Sequence, residues 1–152
     1  MNYTKVLGIP NGLAICYSGY REGQRPGHVY PTYDEVKEDL LIIEKQWQYI
    51  RLYSCDKHSK TVLEVIKNEN LPLKVMLGAY IEAEKDNPNC PWGGTYSSDQ
   101  LSKNKKSNFK KMDVLIGLAN QYPNIIFSLS VGNEACEIGP IIWSLLIPLL
   151  VM

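Results

Sequence analysis

Four short apolar runs alternate along this chain with stretches of helical periodicity, and this alternation limits the folds that are open to it. The runs lie at residues 13–17, 49–53, 74–81 and 125–131. Near-continuous apolar runs of this length are typical of strands covered on both faces, and strands that alternate with helices form parallel βαβ units. The first run, between Gly12 and Ser18, is accordingly predicted to be a strand that is buried on both faces.

The helical stretches carry their own start signals. Thr32 and Glu35 have the spacing of a capping box, and Ser97 with Gln100 repeats it before the third helix. A second helix is predicted over residues 59–68. Apolar residues at helical spacing predict the faces that the first and third helices bury: Val36, Leu40, Ile43 and Trp47 in the first, and Phe109, Met112, Ile116 and Ala119 in the third.

Two architectures accommodate parallel βαβ units, an open doubly wound sheet and a closed eight-stranded barrel. A dinucleotide-binding doubly wound sheet carries a Gly-rich phosphate loop after its first strand, but residues 18–23 lack that spacing. The barrel is therefore favoured, and such a barrel takes about 250 residues. We expect an α/β chain that forms a partial (β/α)8 barrel, with about four strands and three helices in residues 8–135 and an apolar tail in residues 136–152.

Composition narrows the range of partners. Sixteen Lys and Arg residues offset sixteen Asp and Glu residues, which argues against a nucleic-acid partner. The four cysteines and two histidines lack the close spacing of a zinc site, so no metal or other cofactor is expected. The apolar segment 138–152 is shorter than the ~20 residues of a membrane span and contains two prolines, so no span is predicted.

Polar and aromatic residues stand at the predicted carboxyl ends of the strands, where barrel enzymes hold their active sites. Tyr17 follows the first strand, and Arg51 and Tyr53 lie on the second. Tyr80 and Glu82 follow the third strand, and Asn133 and Glu134 follow the fourth. Partial burial would favour the protonated carboxyl of Glu134, as a general acid requires, and the neighbouring amide is suited to hold a sugar hydroxyl. Taken alone, an Asn-Glu pair after a strand is more often a helix cap or a loop pair.

Two interpretations stay open for the aromatic candidates. Trp92 lies in a loop between Pro91 and Gly93, where its ring would either stack on a sugar or pack beneath its own loop. Tyr17 and Tyr53, considered singly, are also compatible with ordinary half-buried rings.

Several dispersed motifs, in the right order, resemble the amino-terminal half of family 17 glycoside hydrolases, in the microbial endo-β-1,3-glucanase-like branch. They are the segments at residues 17–24, 30–36, 51–53, 74–80 and 130–135. The resemblance implies a (β/α)8 barrel, hydrolysis of β-1,3-glucan with retention of configuration, and no metal in catalysis. A β-glucan oligosaccharide or polysaccharide would be the partner, met in a secreted, cell-wall or periplasmic location.

The resemblance also implies roles for individual residues. Glu134 would be the proton donor, and Asn133 would bind the hydroxyl next to the reacting carbon. Tyr17 and Tyr53 would shape the floor of a sugar subsite, and Arg51 would supply a supporting charge. Trp92 is the further candidate for substrate binding, from its loop position.

The chain departs from the family after Ala135. A retaining enzyme needs two carboxyl groups about 5–5.5 Å apart, and residues 138–152 contain no Asp or Glu. We therefore expect no turnover from this chain alone, with a frameshifted or truncated reading frame as the explanation. A noncatalytic glucan-binding remnant and a transglycosylase lineage are the alternatives. The first and fourth strands of an interrupted barrel would be open edges, which predicts instability or self-association, with coverage of one edge by the apolar tail as the alternative.

Overall fold

The sheet is parallel over its first four strands, which lie side by side in chain order. The computed structural model describes residues 8–86, 88, 94–132 and 146–148. Its strands are β1 (Ala14–Cys16), β2 (Tyr49–Leu52), β3 (Lys74–Ala79), β4 (Ile126–Val131) and β5 (Leu146–Pro148). The helices in these residues are α1 (Tyr33–Ile43), α2 (Lys57–Asn68) and α3 (Ser98–Gln121).

The order of the strands distinguishes the two architectures that βαβ units allow. A doubly wound sheet reverses direction, so that its first strand lies in the interior with later strands on both sides. Here β1 lies at one end of the row, and β2, β3 and β4 follow without a reversal, as in the wall of a barrel. The predicted fold class, an α/β fold built as part of a (β/α)8 barrel, is confirmed.

The core lies between one face of the sheet and the helices. Alternate residues of β2 and β3 point to that face, and they are almost completely buried. The largest fully buried side chains are aliphatic and come from both layers: Leu40 from α1, Leu63 and Ile66 from α2, Ile50 and Leu52 from β2, and Val75 and Leu77 from β3. Burial of aliphatic area on this scale is the main term that holds the layers together.

β1 is more exposed than its sequence predicts. Ala14 and Cys16 are exposed and Ile15 is half-buried, so the prediction of a strand buried on both faces is wrong. β1 is the end strand of the row, and within the described part of the chain it pairs with β2 alone. An apolar sequence indicates that a strand can be buried, but the actual burial depends on which other elements pack against it.

The amino terminus of α1 is closed by the predicted capping box. The backbone N–H of Glu35 donates to Oγ1 of Thr32 at 3.3 Å, and the Glu35 carboxylate accepts from the backbone N–H of Thr32 at 2.8 Å. The predicted apolar face is buried as far as Ile43, where the helix ends. Trp47 therefore lies beyond the helix, partly buried against the core.

Replacing Thr32 with alanine is expected to lower the free energy of unfolding by about 1 kcal/mol, because an N–H of the first turn loses its acceptor. Thr32→Ser keeps the hydroxyl and should cost only about 0.3 kcal/mol. Urea denaturation followed by circular dichroism measures both. An equal loss in the two variants would show that the methyl group, and not the cap, carries the effect.

α3 begins as predicted, since the N–H of Gln100 donates to Oγ of Ser97 at 3.2 Å. Its buried face agrees with the prediction in part: Ala119 is buried and Met112 packs against the core. Phe109 is 64% exposed and Ile116 49% exposed, whereas the face turned inward carries two asparagines beside its aliphatic residues. The buried residues of this face are Asn104, Asn108, Leu115, Leu118 and Ala119. The buried face is thus shifted from the predicted one, with the two amides turned inward to bind loop backbone.

The apolar tail contributes a strand to the sheet. β5 pairs antiparallel with β4, with Ser128 opposite Pro148 and Ser130 opposite Leu146. The fourth strand is therefore not an open edge, and the alternative that the tail covers an edge is confirmed for β4. Self-association through β1 stays a prediction. None of the helices in the described residues is long and apolar enough to cross a membrane.

Candidate functional site

One face of the sheet is left uncovered by the helices, and we call it the inner face because a closed barrel would enclose it. Cys16, Arg51 and Met76 stand opposite one another on β1, β2 and β3. Residues on either side of Arg51 in the chain, Ile50 and Leu52, are buried under the helices. Since side chains alternate along a strand, Arg51 and its row lie on the inner face.

Arg51 and Tyr53 form a pair at the carboxyl end of this face. The guanidinium carbon of Arg51 lies 4.8 Å from the centroid of the Tyr53 ring, within the range of a cation–π contact. Tyr53 is 39% exposed. The structure thus brings together two of the residues predicted for the site, and they offer an aromatic face and a positive charge side by side.

An aromatic contact forms the floor of the inner face below this pair. The rings of Tyr49 on β2 and Phe127 on β4 meet edge to face, with centroids 5.1 Å apart. The two strands are separated by β3, so the rings bridge across it. Neither residue is among those predicted for the site, although Tyr49 lies two positions before Arg51 and shares its face by alternation.

Tyr17 lies elsewhere. It follows Cys16, and alternation turns it to the helix-covered face, where it is buried in the core. Its hydroxyl donates to Oδ2 of Asp39 on α1 at 2.9 Å. Burial raises the pKa of this hydroxyl, and the hydrogen bond to Asp39 raises it further. The structure does not bring Tyr17 and Tyr53 together. The function proposed below therefore gives Tyr17 no direct contact with a sugar.

Of the other predicted residues, Tyr80 is 55% exposed and Glu82 pairs with Lys111. Trp92, Asn133 and Glu134 lie outside the described residues. The structure does describe the end of β4, which directly precedes Asn133 and Glu134 in the chain. Val131 stands opposite Ala79, and the N–H of Gly132 donates to the Ala79 carbonyl at 2.9 Å. Gly132 has φ +79°, a left-handed conformation that glycine adopts without strain. The strand therefore runs to the carboxyl edge of the sheet before Asn133.

The β1–α1 loop (residues 17–32) is clamped onto α1 by Arg21. This side chain donates to the carboxylates of Glu38 at 2.8 Å and Asp39 at 3.1 Å, and to the Glu35 carbonyl at 3.2 Å. The side-chain amide of Gln24 also donates to the Glu35 carboxylate. The pKa of Glu35 is lowered chiefly by the Thr32 N–H, and then by Gln24. The motif at residues 17–24 thus anchors a loop.

The β3–α3 loop (residues 80–97) is held by amides of α3. Asn108, 3% exposed, accepts from the Glu82 N–H at 3.0 Å and donates to the Glu82 carbonyl at 2.8 Å. Asn104 donates to the Ala83 carbonyl at 2.8 Å. Lys111 forms an ion pair with Glu82 at 3.0 Å and lowers the pKa of that carboxyl. In the sequence, the only sign of this role is that Asn104 and Asn108 are four residues apart and so share one face of the helix.

A pocket of about 240 Å³ lies between the start of α2 and the side of α3. Of the residues predicted for the site that the structure describes, Tyr80 alone lines it. Its lining comes from residues 54–56, Tyr80 and α3: Ser54, Cys55, Asp56, Tyr80, Ser107, Lys110, Lys111 and Val114. Burial raises the pKa of the Cys55 thiol, whose sulfur contacts the Lys111 carbonyl at 3.5 Å. The pocket is thus distinct from the Arg51–Tyr53 pair.

Within residues 8–86, 88 and 94–132, no group of three or more His, Cys, Asp or Glu side chains is placed to hold a metal ion. The described part of the inner face offers a positive charge beside an aromatic ring, Arg51 and Tyr53.

No protein-family model matches this chain, and no curated protein matches it either. Among solved structures, the chain is similar to the crystal structure of an endo-laminarinase from Formosa Hel1_33_131, with a TM-score of 0.62 and 26% sequence identity. The match covers 89% of this chain and 34% of that chain, so this chain spans about a third of the length of the endo-laminarinase. The likeness supports a glucanase-like fold.

Proposed function

We propose that this chain is part of a glycoside hydrolase of family 17 that acts on β-1,3-glucan, with the inner face as its sugar-binding groove. The observation that carries the proposal is the Arg51–Tyr53 pair, which lies at the carboxyl edge of a sheet similar to that of an endo-laminarinase. β4 runs to the same edge, and Asn133 and Glu134 follow it directly.

In the proposed reaction, Glu134 gives its proton to the glycosidic oxygen as the bond to the anomeric carbon breaks. A second carboxylate attacks that carbon and forms a covalent glycosyl ester. Water, deprotonated by Glu134, then cleaves the ester, and the configuration is retained. Asn133 holds the hydroxyl beside the reacting carbon, Tyr53 stacks on a sugar ring, and the positive charge of Arg51 stabilises negative charge in the groove.

A noncatalytic glucan-binding role is the second candidate. The observation that favours it is the Arg51–Tyr53 pair itself, which offers a ring and a positive charge to a sugar without supplying a carboxyl group. Binding needs the Arg51–Tyr53 pair but not a second carboxyl. A transglycosylase would use the same covalent ester and replace water with a second sugar.

Both candidate functions require that the inner face binds β-1,3-glucan. Titration calorimetry with a laminari-oligosaccharide tests this requirement. Tyr53→Ala is expected to weaken binding about tenfold, equivalent to ~1.4 kcal/mol, because a stacking surface is lost. Phe109→Ala is the matched control, since this ring is exposed on α3, away from the inner face, and should leave affinity unchanged. Equal binding of a cello-oligosaccharide, or no effect of Tyr53→Ala, would count against a β-1,3-glucan groove.

Release of reducing sugar from laminarin separates the two candidates. We expect the 152-residue chain to bind without turnover, because a retaining site needs a second carboxyl about 5–5.5 Å from the first. Turnover by the chain would identify a carboxylate within these residues as the attacking group. It would then exclude the noncatalytic role.

A further inference from the structure

His58, on the first turn of α2, is buried beneath the β1–α1 loop. It is 4% exposed, and its Nε2 accepts a hydrogen bond from the backbone N–H of Gly19 at 3.4 Å. Two rings of the loop flank the imidazole, with centroid distances of 5.4 Å to Tyr17 and 5.1 Å to Tyr20. The imidazole is therefore the point at which the loop backbone is fastened to α2.

The loop passes this point with little room to move. A Cβ added at Gly19 would collide with the Tyr17 hydroxyl, so the backbone lies directly against that ring. On the other side, the Tyr20 hydroxyl contacts Oδ2 of Asp56 at 3.5 Å, and Asp56 caps α2 through the Ser59 N–H. In this packed position the backbone N–H of Gly19 has Nε2 of His58 as its acceptor.

We propose that His58 is a pH-sensitive latch, whose neutral imidazole fastens the β1–α1 loop at the carboxyl edge of the sheet and whose protonation releases it. An imidazolium carries hydrogen on both nitrogens and accepts no hydrogen bond. Its Nε2–H would face the Gly19 N–H, so two donors would oppose each other in a buried site. The inference concerns the loop, and it does not depend on the proposed glucan substrate.

Some of the charges around the imidazole favour its protonated form, and others oppose it. Asp56, which caps α2, and Asp39 on α1 favour the imidazolium. Arg21 is paired with Asp39 and offsets part of that carboxylate, and Lys57, the neighbouring residue on α2, has its ammonium over the Tyr30 ring. The hydroxyls of Tyr17 and Tyr20 stay neutral, since burial raises the pKa of both.

Burial outweighs these attractions and lowers the pKa of His58. The latched state consequently binds fewer protons than the open state, in which the ring is solvated with an ordinary pKa near ~6.5. Latching is fully favourable above that pH. It weakens as the pH falls from ~6.5 to the lower pKa of the latched form, and it weakens no further below that value.

Hydrogen–deuterium exchange of the Gly19 amide, corrected for the intrinsic rate, tests the latch. Between pH 7.5 and pH 5.5 we expect the protection of this amide to fall several-fold. The fall is at most about tenfold, because pH 5.5 lies ~1 unit below the pKa of the solvated imidazole in the open state. Amides of α2 such as that of Leu63 should keep their protection, which separates local release from global unfolding. Asp and Glu titrate mostly below this window.

Two variants make the test specific. His58→Gln places a side chain without a titratable group at the latch and should remove the pH response. His28→Gln removes the other histidine of the chain, which is exposed in the same loop, and should leave the response intact. Unchanged Gly19 protection in the natural sequence, or an equal fall in His58→Gln, would overturn the proposal.

A measurement on the unmodified chain covers the case in which His58→Gln fails to fold. The imidazole proton signals of His58 and His28 report the two titrations separately by NMR. We expect the change at Gly19 to follow the His58 titration and to be independent of His28. A change at Gly19 that follows neither ring would also overturn the latch.

Discussion

Gly78→Ala is expected to lower the free energy of unfolding by about 3 kcal/mol, the upper part of the range for overpacked sites. A Cβ at this position would lie 2.5 Å from the Leu52 carbonyl oxygen and 2.8 Å from the carbonyl carbon and oxygen of Tyr53. These are backbone atoms of the neighbouring strand, so no side-chain rotation relieves the collision. β2 and β3 would have to separate at the position that carries the Arg51–Tyr53 pair.

Gly117→Ala is the matched control for this substitution. Gly117 lies within α3, and a Cβ there would meet nothing within 4 Å. Alanine should therefore stabilise the chain by roughly 0.5–1 kcal/mol, because glycine inside a helix loses more backbone entropy on folding. Urea denaturation followed by circular dichroism compares the two. Similar unfolding midpoints would contradict the close approach of β2 and β3 at Gly78.

Asn108→Ala is expected to cost about 2–3 kcal/mol of stability, because a buried amide that serves the β3–α3 loop is removed. Its oxygen accepts from the Glu82 N–H, and its nitrogen donates to the Glu82 carbonyl and, at 2.9 Å, to the Glu84 carboxylate. Alanine leaves both Glu82 backbone groups without these partners, and each unsatisfied buried group costs about 1–3 kcal/mol.

Two further substitutions show whether the amide itself is required. Asn120→Ala changes an exposed asparagine of the same helix and should alter stability by less than about 0.5 kcal/mol. Asn108→Asp keeps an acceptor for the Glu82 N–H, but it loses the donor and sets a negative charge beside Glu84. We expect it to be as destabilising as alanine. Full stability of Asn108→Asp would mean that the donated hydrogen bonds contribute little.

Local patterns allowed most of the elements to be predicted from the sequence. The capping box of Thr32 and Glu35 involves residues three apart, and its geometry follows from spacing. The apolar runs of β2, β3 and β4 specify strands in any parallel sheet. Such features depend on neighbours in the chain, which the sequence contains. The four-strand wall of a barrel could be inferred from their order.

Features that depend on distant neighbours could not be predicted in this way. The burial of β1 requires a covering element, and the shifted buried face of α3 carries amides that bind Glu82 and Ala83. Apolar periodicity assigns no role to buried asparagines, so it predicts that Phe109 lies on the buried face of α3. Tyr17 was predicted at the site from its position after β1, but its side chain turns to the core at that position.

The antiparallel pairing of β5 with β4 has a consequence for how this sheet accepts a further strand. Residues 146–148 use the backbone groups along β4 that a fifth parallel strand would need. A parallel strand could pair with this edge of β4 only in place of β5, so extending the parallel sheet would be an exchange of strands rather than an addition.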